Sequence, residues 1–87
     1  MTSKNIKGLS LYQYDFCPFC VATRRAIEKL NINIEIRDTM KDPKNQQELI
    51  SKGGKSQVPC LRIDQGDSTR WMYESADIIQ YLTKKFS

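Results

Sequence analysis

The chain has 87 residues, a formal net charge of +4 and 28% charged residues. A chain of this length buries only about 60 to 65% of its unfolded surface, so one domain over residues 1–87 is expected. Its 39% apolar content and its interspersed charges of both signs argue against a disordered chain and against a disulfide-stapled mini-protein.

The first residues, the distribution of charge and the absence of histidine bear on the location and the partners of the chain. Residues 1–7 lack the apolar stretch of a secretory signal, and no run of about eighteen apolar residues occurs, so a cytoplasmic chain without a membrane partner is expected. The basic residues are scattered, which indicates no nucleic-acid partner and favours at most a small anionic ligand. No histidine is present, which excludes Cys-His catalysis and a histidine-based zinc site.

Hydrophobic periodicity predicts seven elements. Ile32, Ile34 and Ile36 alternate with polar residues, which is typical of a strand, whereas residues 23, 26, 27 and 30 share one helix face and residues 24, 25 and 28 face away from it. The predicted elements in chain order are strand 8–13, helix 18–30, strand 32–37, helix 42–54, strand 58–64, strand 68–73 and helix 74–86.

The order of these elements is βαβαββα, which predicts an α/β fold. The first βαβ unit implies parallel strands joined by a right-handed crossover. The tight turn at residues 64–67 implies an antiparallel pair. The sheet should therefore be mixed, with four strands and with helices on both faces.

The stretch YQYDFCPFC places Cys17 and Cys20 where the first strand gives way to the first helix. If Pro18 opens that helix, the Cys17 sulfur lies beside unpaired backbone N–H groups and the positive end of the helix dipole, which favours thiolate over thiol. Cys17 is then the expected nucleophile. Cys20, one turn further on, is expected to attack a mixed disulfide at Cys17 as the resolving thiol.

The pair has two other interpretations. In one, both cysteines are small buried hydrophobes; in the other, they are half of a metal site. Zinc needs four ligands, and only Cys60 is left to add sulfur, so no metal is expected. Cys60 itself, directly after Pro59, is expected to be a buried strand residue, and Tyr12 a core residue.

A second signal is Val58-Pro59, where a cis bond would place the preceding backbone beside the active site, ready to pair with an extended thiol peptide. Together with Cys17-Pro18-Phe19-Cys20 and a polar turn before the last helix, this pair resembles the glutaredoxin family of the thioredoxin fold. The resemblance implies a thioredoxin-like sheet of order 2-1-3-4, a cis-proline loop at residues 58–59, and a Val58 backbone that holds the cysteinyl part of glutathione. Phe19 would line the thiol groove.

The turn Glu74-Ser75-Ala76-Asp77 looks like the Glu-Ser turn that glutathione transferase N-terminal domains use for the γ-glutamyl group. Ser75 offers a hydroxyl and backbone N–H groups to a carboxylate, and Glu74 can pair with the ammonium; a simple helix cap is the alternative, and both roles can coexist. Gln57, with Arg37 and Lys55, is a candidate for the glycyl end, although each suits an ordinary surface position.

The expected function is a dithiol glutaredoxin: a glutathione-dependent thiol–disulfide oxidoreductase that reduces protein–glutathione mixed disulfides and protein disulfides. It would act as a monomer in electron transfer and cell redox homeostasis, with glutathione as co-substrate. The sequence departs from the glutaredoxin pattern at Tyr14, where many members carry lysine, and at Met72-Tyr73, where they carry Gly-Gly. The alternatives are an electron donor that depends on a thioredoxin reductase, and a non-catalytic glutathione-binding or iron–sulfur-binding module.

Overall fold

The computed structural model describes residues 4–86. Its elements are β1 (Lys4–Gln13), α1 (Pro18–Lys29), β2 (Ile32–Asp38), α2 (Pro43–Gly53), β3 (Cys60–Asp64), β4 (Thr69–Met72) and α3 (Ser75–Phe86). The four strands form one sheet of order β2-β1-β3-β4, in which β1 and β2 are parallel and the other two pairings are antiparallel. The predicted mixed sheet and the 2-1-3-4 order are confirmed.

Side chains that alternate along the strands build a core on each face of the sheet. Leu11 points to the face covered by α1 and α3, whereas Tyr12 points to the face covered by α2. The first core contains Leu9, Leu11, Ile27, Ile32, Ile34, Leu61, Ile63, Ile78 and Leu82. The second contains Tyr12, Leu49 and Cys60, with Val58, Trp71 and Tyr73 packed against it. Helices therefore lie on both faces, as predicted.

The ends of the first two helices follow from their local sequences. Pro18 occupies the first turn of α1, where its missing N–H costs nothing, and α1 gives way to Asn31 at φ 60°. Asp42 caps α2 by accepting from the Lys44 N–H at 3.0 Å. At the other end, Gly54 adopts φ 87° and donates its N–H to the Ile50 carbonyl at 3.0 Å. No helix within residues 4–86 is long and apolar enough to cross a membrane.

Two strand boundaries differ from the predicted ones. β1 begins at Lys4 instead of Gly8, because Gly8 at φ 84° and a register shift between Asn5 and Ser10 interrupt the alternation without ending the strand. β3 begins at Cys60, two residues after its predicted start at Val58. A proline has no N–H to give to a strand ladder, so the paired segment starts after position 59.

A polar network joins α2 to the sheet. The hydroxyl of Tyr12 donates to Oε1 of Glu48, and Glu48 also accepts from Arg37 and, at 3.2 Å, from Arg62. Arg37 makes a further ion pair with Glu35 at 3.0 Å. The side chains of Glu48, Arg37 and Arg62 are 26%, 27% and 18% exposed, so these charges are largely withdrawn from water. The network fixes the position of α2 on the sheet.

Candidate active site around Cys17 and Cys20

Cys17 forms the amino-terminal cap of α1. Its backbone is extended, with φ −79° and ψ 118°, and its sulfur accepts the Cys20 N–H at 3.3 Å. Its carbonyl accepts from the Val21 N–H at 2.9 Å, the first bond of the helix. The sulfur therefore faces unpaired N–H groups and the positive end of the helix dipole. The sequence prediction for the placement of Cys17 is confirmed.

Cys20 is a different kind of thiol. It is fully buried, and burial, followed by its hydrogen bond with Cys17, raises the pKa of Cys20 to about 12. The thiol of Cys20 therefore stays protonated at neutral pH. All three cysteines are free thiols, so the Cys17–Cys20 pair is in its reduced form. The arrangement places a protonated thiol one helical turn behind a sulfur that caps the helix.

The surroundings of Cys17 are apolar and exposed. Phe16 and Phe19, which flank it in the chain, are 90% and 64% exposed, and we call them the aromatic rim. Cys17 itself is only 5% exposed, so the two exposed rings are its more accessible neighbours in the chain. That Phe19 lines a thiol groove stays a prediction.

The register of the sheet gathers the other predicted site residues at the same edge. Tyr12, near the end of β1, pairs with Cys60 at the start of β3, and Leu61 pairs with Met72 at the end of β4. The segments 14–17, 57–59 and 73–75 therefore leave the sheet on one side. The cysteine pair, the Val58-Pro59 loop and the Glu74-Ser75 turn come together there.

Within the 57–59 segment, the Val58–Pro59 peptide bond is cis, as the resemblance implied. Pro59 is buried, Val58 packs against Tyr12 and its neighbours, and Gln57 is exposed. The side chain of Gln57 is therefore open to solvent beside the loop.

The Glu74-Ser75 turn opens α3. Glu74 is exposed, and its carbonyl accepts from the Ile78 N–H at 2.9 Å, so Glu74 holds the capping position and Ser75 is the first helical residue. A cleft of about 560 Å³ lies beside the turn, with Lys55, Tyr73, Glu74 and Asp77 in its walls. The cleft extends along β4 and α3 to Lys84, and neither Ser75 nor the cysteine pair lines it.

Two arginines have partners within the protein that the sequence did not predict. Arg24, predicted to face away from the core, is half-buried and donates to Gln13 and, at 3.5 Å, to the Asp15 carbonyl. Arg37, a candidate for the glycyl end of glutathione, is held by Glu35 and Glu48. Helical periodicity could not find the contact of Arg24, because its partner Gln13 is a buried polar side chain on a strand.

Lys55, the other basic candidate, lies near the predicted site but has a partner of its own. Its Nζ is 5.2 Å from the centre of the Tyr73 ring, at cation–π distance. Tyr73 in turn donates to the Gly53 carbonyl. Among residues 4–86, no three His, Cys, Asp or Glu side chains are grouped so that they could hold a metal ion.

A four-stranded mixed sheet of order 2-1-3-4, a Cys-Pro-Phe-Cys helix start and a cis-proline loop define a thioredoxin-like fold. Residues 11–87 match the family described as glutathione S-transferase, N-terminal domain, and the chain belongs to this family.

Similar proteins support this placement. The chain is 36% identical over 76 residues to glutaredoxin 2 of Escherichia coli K12, a match that covers 87% of this chain and 33% of that protein. A glutathione transferase homologue of Drosophila mojavensis, solved with bound glutathione, is 25% identical, with a TM-score of 0.70 over 90% of this chain and 35% of the other. A thioredoxin-like protein at 21% identity has a TM-score of 0.74 and shares the fold, with 91% and 97% of the two chains covered.

The chain thus spans about a third of the length of the glutaredoxin that it matches. The relatives are a glutaredoxin and a glutathione transferase homologue, and the second was solved with bound glutathione.

Proposed function

We propose that this protein is a glutathione-dependent thiol–disulfide oxidoreductase that acts as a dithiol glutaredoxin. The observation that carries the proposal is the asymmetry of the cysteine pair. Cys17 caps α1 with its sulfur on a backbone N–H, whereas burial keeps the Cys20 thiol protonated. A nucleophile at a helix start and a resolving thiol one turn later are what thiol–disulfide exchange requires.

In the monothiol route, the Cys17 thiolate attacks the glutathione sulfur of a protein–glutathione mixed disulfide. The protein thiolate leaves and takes up a proton, and glutathione is now bound to Cys17 through a disulfide. A second glutathione thiolate attacks the sulfur of that bound glutathione, so that glutathione disulfide leaves and the Cys17 thiolate is regenerated. Cys20 takes no part.

In the dithiol route, the Cys17 thiolate attacks a protein disulfide and forms a mixed disulfide with one of its sulfurs. Cys20 loses its proton and attacks the Cys17 sulfur, which releases the second substrate thiolate and leaves a Cys17–Cys20 disulfide. Two glutathione molecules then reduce this disulfide and leave as glutathione disulfide. The substrate disulfide is the oxidant, and glutathione is the reductant.

The glutathione site that we propose lies at the sheet edge where the three segments meet. The Val58 backbone, before Pro59, would pair with the cysteinyl part of glutathione as a neighbouring strand does. Ser75 and the first N–H groups of α3 would bind the γ-glutamyl carboxylate, and Glu74 its ammonium. Gln57 would contact the glycyl end, and the aromatic rim would cover the disulfide. Because glutathione is the reductant, we place the reaction in the cytoplasm, with the chain acting as a monomer.

A second candidate is an electron donor reduced by a thioredoxin reductase. The observation that favours it is Met72-Tyr73 before the Glu74-Ser75 turn, where Tyr73 contributes a bulky side chain to the cleft wall instead of open backbone. This candidate keeps the roles of Cys17 and Cys20 and changes only the reductant.

Turnover of a small glutathione mixed disulfide, coupled to glutathione reductase and NADPH, tests the proposal. The wild type and Cys20→Ser should both turn over, and Cys17→Ser should be inactive. With a protein disulfide as substrate, Cys20→Ser should fail as well. Equal loss of mixed-disulfide turnover in Cys17→Ser and Cys20→Ser would contradict the separate roles of nucleophile and resolving thiol. Turnover with a thioredoxin reductase and none with glutathione would identify the second candidate.

A further inference from the structure

Arg24 holds a fixed place on α1 that the reaction described above does not use. It lies four residues after Cys20 and therefore one turn further along the same face of the helix. Its Nη1 donates to Oε1 of Gln13, which is 2% exposed at the end of β1, and its Nη2 donates to the Asp15 carbonyl at 3.5 Å. The guanidinium is therefore held against the loop that precedes Cys17 and does not extend into solvent.

The loop itself is anchored on its other side. The Asp15 carboxylate pairs with Lys41 at 3.1 Å, and the Thr39 N–H donates to the Gln13 carbonyl at 2.9 Å. Gln13 and Asp15 thus have partners from the segment after β2 as well as from α1. Because both acceptors of Arg24 are held by the segment after β2, its guanidinium stays on the helix face that it shares with Cys20, one turn away.

We propose that Arg24 is a positioning residue for the resolving step, whose fixed positive charge stabilises the Cys20 thiolate that attacks the mixed disulfide at Cys17. The inference rests on the proposed dithiol function and adds to it a residue outside the Cys-x-x-Cys motif. It also explains how a buried thiol becomes a nucleophile at the right moment.

The groups around Cys20 act in opposite directions. Burial is the largest cause of its raised pKa, and the hydrogen bond and the negative charge of Cys17 add to it. The Tyr14 backbone and the charge of Arg24 lower the pKa of Cys20. Once Cys17 is bound in a mixed disulfide it has no thiolate charge, whereas Arg24 is unchanged. Formation of the mixed disulfide therefore shifts the balance toward the Cys20 thiolate.

The step balances without any further reactant. Cys20 gives its proton to solvent, and its thiolate forms a bond with the Cys17 sulfur while the bond from Cys17 to the substrate sulfur breaks. The substrate leaves as a thiolate and is protonated. The two electrons that the substrate disulfide gains come from the Cys17–Cys20 pair, which ends as a disulfide.

Rapid mixing of the reduced protein with an aromatic nitrobenzoate disulfide separates the two steps, because each released thiolate is coloured. The first release reports attack by Cys17, and the second reports closure by Cys20. Arg24→Gln should raise the pKa of Cys20 and so lower its thiolate fraction. For each tenfold fall in that fraction thiol nucleophilicity rises about threefold, so the second release should slow about threefold.

Two variants serve as controls. Arg24→Lys keeps the charge and should restore most of the rate of the second release. Arg25→Gln removes the same charge from the exposed neighbouring position and should behave as the wild type.

Two results would overturn the role of Arg24: a rate of the second release in Arg24→Gln equal to that in Arg25→Gln, or equal slowing in Arg24→Lys and Arg24→Gln. Equal slowing in the two Arg24 variants would indicate a loosened loop instead of a lost charge. Failure of the proposed function is separate, since it would appear as absent glutathione-coupled turnover in the wild type while both coloured releases are still observed.

Discussion

Replacing Glu48 with Ala should cost this fold about 2 kcal/mol of unfolding free energy. Glu48 accepts hydrogen bonds from Tyr12, Arg37 and Arg62, and its removal leaves two arginines without the carboxylate between them. Breaking a buried ion pair by removing one partner costs about 3 to 5 kcal/mol. Here the side chains of Glu48 and Arg37 are still 26% and 27% exposed, so water can solvate the arginine that loses its partner, and the loss is smaller.

Urea unfolding followed by the fluorescence of Trp71 measures this change directly. Trp71 is the only tryptophan, and its ring centre is 5.5 Å from that of Tyr12 in the core covered by α2. In Glu48→Ala the urea concentration at the unfolding midpoint should fall, while the slope of unfolding free energy against urea concentration stays the same. In a domain of this size, about 2 kcal/mol corresponds to a fall of about 10 °C in Tm. Glu28→Ala, at an exposed position on α1, removes the same charge and should change the stability by less than about 0.5 kcal/mol.

The pH dependence of the same variant gives a second test. The hydrogen bond from Tyr12, followed by the charge of Arg37, lowers the pKa of Glu48 below its ordinary value. A lowered folded-state pKa contributes stability above the unfolded-state value of about 4.3, and that stability is lost as the pH falls through the folded-state pKa. The difference in unfolding free energy between the wild type and Glu48→Ala should therefore reach its maximum at neutral pH and become smaller in acid. Equal stability of Glu48→Ala and Glu28→Ala at neutral pH would refute the reasoning.

Three further predictions concern single positions near the site. Gly53→Ala should destabilise the fold by about 1 to 3 kcal/mol in urea unfolding, because the added Cβ would lie 2.6 Å from the Tyr73 hydroxyl; a gain of about 1 kcal/mol, as for an open helix position, would contradict this. Ser75→Ala should raise the KM for glutathione about tenfold in coupled turnover through loss of a hydrogen bond to the γ-glutamyl carboxylate, and an unchanged KM would remove Ser75 from the proposed site. Cys60→Ala should keep full turnover, since burial raises the pKa of that thiol to about 12, and inactivity with an intact fold would give Cys60 a redox role.

Most of the fold followed from periodicity and from terminating residues. Alternation at Ile32 and Ile34 placed β2, and Asp42-Pro43 with Gly54 placed α2. The boundary at Gly8 could not be predicted, because a bulged strand loses its alternation while it keeps its pairing to a neighbour that is remote in sequence.

The site was predictable where its chemistry is local. The Cys17 cap depends on Cys20, one helical turn away. The start of α3 at Ser75 likewise depends on residues of its own first turn. The contacts of Arg24 with Gln13, and of Glu48 with the arginines of two strands, join positions 11 to 14 residues apart. These depend on how helices pack on the sheet, and the periodicity of one segment carries no information about them.

Trapping of the glutathionylated intermediate tests the central claim most directly. Cys20→Ser, incubated with a small glutathione mixed disulfide and quenched in acid, should carry one glutathione, and peptide mapping by mass spectrometry should locate it on Cys17. Cys17→Ser, treated in the same way, should carry none. A glutathione on Cys60 in Cys20→Ser, or no adduct at all, would contradict Cys17 as the nucleophile of a glutathione-dependent oxidoreductase.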